Sequence, residues 1–231
     1  MNQPAKKNAM NATMRGALRQ AVAAASVDQS AKAIILTGAG GEFSAGGDIQ
    51  GLMAVDKADF RHSLKDGHEV VKTFWWFEKP MVAAIEGVGV GGGLALAMCC
   101  DHIVMGRSAR IGFTFMKIGF VPDWGTPFTV TRRVGPAAAR RLFQTCDIVG
   151  SEDALRLGLV DEVTDDGKVQ ERAIAAAQKL AAQPPKAFAF TKRFLQTMPD
   201  NLDAALEMEA MVQENCFKSD EFLRGVERFI R

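Results

Sequence analysis

Residues 87–100 read Gly-Val-Gly-Val-Gly-Gly-Gly-Leu-Ala-Leu-Ala-Met-Cys-Cys and follow the apolar run Met81-Val82-Ala83-Ala84-Ile85. The run predicts a strand buried on both faces. The glycines predict a tight turn into a helix over about Gly92 to Cys100. Where Cβ atoms are missing, a ligand can touch the main chain itself. The N–H groups that open a helix have no partner within it and attract negative charge. A second glycine turn, Gly40-Gly41-Glu42-Phe43-Ser44-Ala45-Gly46-Gly47-Asp48, follows another apolar run, Ala33–Thr37. Two such turns offering one N–H each to a common point would form an oxyanion hole.

The pattern extends outward on both sides. Met10, Met14, Leu18 and Val22 recur every fourth residue, which predicts an amphipathic helix over Asn8–Ala25. The stretch from Asp48 to Phe77 reads as mostly helical and stops before Pro80, and His102–Met105 reads as a third strand. Helices alternating with buried strands define an α/β chain with a parallel sheet. Further on, residues 111–125 hold a short strand and a turn, and a helix from Thr126 to Arg133 is interrupted at Gly135-Pro136. Ser151 opens a helix that Gly158 ends, and Leu159–Val163 reads as a last strand. Only helical patterns follow Lys168. The division expected is an α/β core over 1–165 and a helical oligomerisation region over 166–231.

With 231 residues, 48% hydrophobic, 24% charged and a net charge of +1, the chain has the composition of a soluble globular protein. That charge balance does not point to nucleic acid or to a membrane surface, and the glycine-rich run is too short to span a bilayer. Cys99, Cys100, Cys146 and Cys216 show no metal-ligand spacing, so no metal is expected and a reduced, cytoplasmic setting suits them.

At this point the chain resembles the crotonase superfamily, the enoyl-CoA hydratase/isomerase family. The matching segments are Phe43–Ile49, Pro80–Gly87 leading into Gly91-Gly92-Gly93, Ile118–Asp123 and Ala154–Asp161. They occur in the family's order along nearly the whole chain. The resemblance implies a crotonase-like fold of repeated ββα units with a C-terminal helical subdomain. It implies an acyl-CoA substrate whose thioester oxygen is held by the N–H groups of Gly47 and Gly92. The CoA arm would lie along Ala45, Gly47, Asp48, Ile49 and Gln50, and the assembly would be a homotrimer or a hexamer made as a dimer of trimers. The resemblance also implies a strand ahead of the Asn2–Met10 segment, without which a sheet edge would be bare.

Two departures bear on the chemistry. The family's hydratases carry glutamates at the positions that are Ala95 and Phe115 here, and neither side chain can activate water. The acid stands instead at Asp123, within Val121-Pro122-Asp123-Trp124. Members with this pattern shift a double bond, and one branch uses the aspartate as a nucleophile. The expected activity is therefore a cofactor-free enoyl-CoA isomerase in which Asp123 carries the proton. Phe113, Phe115 and Trp124 are expected to surround it and raise its pKa, and Phe115, Trp124 and His68 are candidates for the acyl pocket.

Competing readings are a hydrolase or dehalogenase using Asp123 and His68, a hydratase-like protein of altered chemistry, and a silent acyl-CoA-binding protein. Gly87–Gly92 also fits the GxGxxG dinucleotide pattern, but Asp101 precedes the next strand where an acid should end it. Ser44 reads as a turn residue, Asp48 as a helix cap, and Lys6 and Lys7 as solvated.

Overall fold

The computed structural model describes residues 1–230. Its opening segment corrects the first helix. Asn8 has a left-handed φ of 55° and is fully buried. Its amide donates to the carbonyls of Ala39 and Glu42 and its side-chain oxygen accepts from the Gln3 N–H. Those bonds hold residues 3–10 across the first glycine turn, so α1 (Ala12–Val27) starts later than the periodicity suggests, capped by Asn11.

The chain continues through β1 (Ile34–Thr37), α2 (Ile49–Met53), α3 (Phe60–Trp75), β2 (Met81–Ile85), β3 (Val88–Val90) and α4 (Gly91–Ala97). Then come β4 (His102–Gly106), β5 (Arg110–Gly112), α5 (Thr126–Thr145), β6 (Ile148–Gly150), α6 (Ser151–Leu157) and β7 (Glu162–Thr164). Four helices close it: α7 (Val169–Ala181), α8 (Pro185–Thr197), α9 (Leu202–Phe217) and α10 (Asp220–Ile230). As expected, α5 is kinked at Gly135, whose φ is 77°. β7 begins three residues later than expected, because Leu159 and Val160 close the end of α6 by donating to the Ala154 carbonyl.

Two sheets result. The first is parallel, in the order β1-β2-β4-β7, and the second pairs β3 with β5 and β5 with β6. A strand of the first sheet, a strand of the second and then a helix recur as β2-β3-α4 and as β4-β5-α5, which is the ββα repeat. β1 and β7 are the edge strands of the parallel sheet, and Met1 meets the end of β1 through bonds to Thr37 and Ala39. α4 is buried along its whole length, and all-round apolar character is what such a central helix needs.

The first helix after position 165 packs on the parallel sheet. Val169, Ala173 and Ala177 of α7 pack on Val82, Ala84 and Val104, covering the other face of the parallel sheet. α7 therefore belongs to the core, and small apolar residues every fourth position let it lie close to the strands. α8 is tied to this core by Lys192, whose ammonium bonds to Asp101 at 2.8 Å and to the Lys79 carbonyl. α9 has no buried residue. No helix among the described residues is long and apolar enough to cross a membrane.

Candidate active site

The two glycine turns meet. Ser44 pairs with Gly89, taking its N–H bond to Val88 and accepting from Val90, while its hydroxyl donates to the Asn8 carbonyl and accepts from the Gly46 N–H. Ser44 is wholly buried and is a bridge residue where a turn residue is expected, because its backbone pairs with the second glycine turn. A methyl on Gly93 would fall 2.3 Å from the Ser44 side chain, so the third glycine permits this close packing. A methyl on Gly46 would lie 3.2 Å from the Val90 carbonyl oxygen, and Gly46 itself has a φ of 89°. Both contacts bring the backbones of the two turns together.

This packing leaves two N–H groups without acceptors at residues that line one cavity. Met10 donates to the Gly46 carbonyl and accepts from the Asp48 N–H. Successive peptide groups of extended chain point to opposite sides, so the Gly47 N–H faces away from Met10 and has no partner among the described residues. Gly92 is the second residue of α4, where the N–H has no acceptor within the helix. Gly47, Gly92 and Asp123 line a single cavity of about 450 Å³.

Asp123 is held by the turn that follows the 3-10 segment Phe115–Ile118. Its carbonyl accepts from the N–H and the hydroxyl of Thr126, and the two residues between, Trp124 and Gly125, have φ of 52° and 73°. A bulky residue in the left-handed region is disfavoured by about 1–2 kcal/mol. Packing holds Trp124 there: methyls on Gly67 of α3 and Gly92 of α4 would come within 3.0 Å and 3.3 Å of its indole. The wedge fixes the indole between α3 and the start of α4, and with it the backbone next to Asp123. The Oδ1 atom of Asp123 is buried with no hydrogen-bond partner among the described residues, and burial pushes the carboxyl pKa up to about 6. No charged neighbour contributes to that rise.

The other expected residues divide. Ala45, Gly47, Asp48, Ile49, Gly92, Phe115 and Trp124 line the cavity. Asp48 also caps α2 through the Gly51 N–H and pairs with Lys6. Lys7 pairs with Glu42, so neither lysine is merely solvated. Gln50 is exposed and lies outside the lining. Phe113 is turned into the core against Phe143, at 5.3 Å between ring centres. Its place in the aromatic wall is taken by Phe60 and Phe120, themselves 5.6 Å apart. His68 is half-buried and outside the lining, because the residues α3 turns to the cavity are Phe60, Ser63 and Leu64. Ala95 is fully buried inside α4. Arg15, Ser63 and Thr114 line the cavity without having been singled out in the sequence.

The chain belongs to the enoyl-CoA hydratase/isomerase family, whose model matches residues 1–231. It is 29% identical over 232 residues to the crotonyl-CoA hydratase of Syntrophomonas wolfei, covering 100% of this chain and 89% of that one. The short-chain-enoyl-CoA hydratase of Clostridium acetobutylicum is likewise 29% identical over 232 residues, with the same coverage. The crystal structure of an enoyl-CoA hydratase from Polaromonas matches with a TM-score of 0.93 at 26% identity, over 99% of this chain and 90% of that chain. The names of the relatives are mostly those of hydratases.

Proposed function

We propose that this member of the family is an enoyl-CoA isomerase that moves a double bond from C3 to C2 of an acyl-CoA thioester without a cofactor. The observation that carries the reading is Asp123: a carboxyl with a raised pKa and an unpartnered oxygen, in a cavity whose other acid, Asp48, is already paired. The Asp123 carboxylate removes a proton from C2 of a 3-enoyl-CoA. The electron pair moves onto the thioester oxygen, where the Gly47 and Gly92 N–H groups stabilise the enolate. The protonated carboxyl then returns its proton at C4, and the electrons fall back to form the C2=C3 bond. Hydrolysis through an aspartyl ester needs a base beside Asp123, and the position of His68 outside the cavity speaks against it.

Assembly as a homotrimer, or as a hexamer of two trimers, is supported by the apolar residues exposed on α9, Leu202, Leu206, Met211 and Phe217. A cytoplasmic setting is supported by the four unpaired cysteines.

The reading is tested by offering the chain 3-hexenoyl-CoA and crotonyl-CoA in separate assays. The expected result is conversion of the first to the conjugated 2-enoyl thioester, read by its absorbance, and hydration of the second close to the uncatalysed rate. Rapid hydration of crotonyl-CoA with no isomerisation would contradict it.

A further inference from the structure

Three ionisable side chains line the cavity: Asp48, Asp123 and Arg15. The two acids are accounted for by the α2 cap with its Lys6 pair and by the proton transfer. Arg15, on α1, is not. Among the described residues its guanidinium is in no ion pair. Its one side-chain hydrogen bond among the described residues is to the Ser63 hydroxyl on α3, at a long 3.5 Å, and its Nε is buried with no acceptor.

A partly buried guanidinium ordinarily finds an acceptor, because desolvating its donors without one is costly. Asp123 does not serve as that acceptor, since no cation acts on its carboxyl. Apart from Asn11, Thr13 and Thr114, which are uncharged, the rest of the lining drawn from α1, α2 and α3 and the segments after them is largely apolar, with Leu52, Val55, Phe60 and Leu64. One cation with a hydroxyl beside it, in an oily wall, is the kind of sparse polar feature that sets a pocket's specificity. The planar fork of the guanidinium matches a carboxylate through two parallel hydrogen bonds.

We infer that Arg15, with Ser63 beside it, is the specificity-determining residue of the cavity and receives a carboxylate carried on the acyl chain of the CoA thioester. The inference rests on the acyl-CoA reading of the cavity but not on the isomerase chemistry. Unsubstituted acyl groups of the same length leave the guanidinium without its acceptor and bind less well. A phosphate of CoA offers the same oxyanion chemistry, so the experiment includes an arm for it.

The test is calorimetric binding to the full chain of two saturated, unreactive ligands of equal chain length, hexanoyl-CoA and adipoyl-CoA. The native chain is expected to bind adipoyl-CoA about tenfold or more tightly, the strength of a charge-assisted pair. Arg15→Gln should bring the ratio close to one, and Arg15→Lys, which keeps the charge but not the fork, should retain part of the preference. Equal affinities in the native chain, or a preference that survives Arg15→Gln, would overturn the inference. So would an equal loss for both ligands that disappears when dephospho-CoA thioesters are used, since the guanidinium would then serve the nucleotide. Failure of the native chain to bind either ligand would instead refute the acyl-CoA reading beneath it.

Discussion

Asparagine at position 123 is expected to lower turnover of a 3-enoyl-CoA by about 10³-fold or more, while acyl-CoA affinity stays within about threefold. The amide has the size of the carboxylate but cannot take a proton from C2, so a transition-state interaction is lost and ground-state binding is kept. The pH dependence of the native chain follows from the same group. The base must be ionised, and its pKa lies near 6. The rate should therefore rise with pH and reach half its plateau near pH 6.

Stability should move the other way. The folded pKa of Asp123 is above its ordinary value of 3.8, so folding favours the protonated form. Whatever this carboxyl contributes to stability is fully present below the unfolded pKa and is lost as pH rises through about 6. Asp123→Asn removes that loss. The variant should be more stable than the native chain at pH 8 by about 1 kcal/mol, a figure discounted for partial solvent exposure, and should show no such advantage near pH 4. Turnover with thermal unfolding at the two pH values checks both signs at once.

Proline at position 47 is the second large effect. It deletes one of the two main-chain donors and nothing else that Met10 uses, since those bonds run to the Gly46 carbonyl and the Asp48 N–H. Gly47 lies outside the left-handed region, and a Cβ there meets nothing within 4 Å. Turnover is expected to fall by about 10²–10³-fold, the usual cost of one oxyanion donor. Gly47→Ala keeps the N–H and should stay within about tenfold of the native rate by the same reasoning. Comparison of the two variants by turnover and by circular dichroism separates the lost donor from a disturbed turn. If alanine costs as much as proline, the N–H is not the group that matters.

What could be read ahead of the structure was whatever a short window of sequence encodes. Met81–Ile85 is apolar at every position because both faces are covered, and the chain states this directly. Gly91-Gly92-Gly93 marks the turn because glycine takes a φ of 53° at position 91 without the strain a side chain brings, and leaves room for Ser44 at position 93. β3 and β6 were not anticipated: three residues each are too few for an alternating pattern to show. The contact of α7 with the sheet is not legible ahead of the structure, because small residues on a helix look alike whether they meet a sheet or a neighbouring chain. In the cavity, the place of Asp123 is legible through its motif and its apolar neighbours. Phe113 faces Phe143 in the core and Phe115 the cavity, because neighbours in an irregular segment do not share a face. Arg15 and Ser63 left no local signal, since what joins them is the packing of α1 on α3 across 48 positions.

The central claim is that one carboxyl group both removes and returns the proton. Its most direct measurement is conversion of 3-hexenoyl-CoA deuterated at C2, in ordinary water, with the conjugated product analysed at the earliest times. A single acid in a sheltered cavity predicts that part of the deuterium appears at C4. A C4 position free of deuterium from the first turnover would mean that solvent or a second acid supplies the proton, and would contradict the role assigned to Asp123.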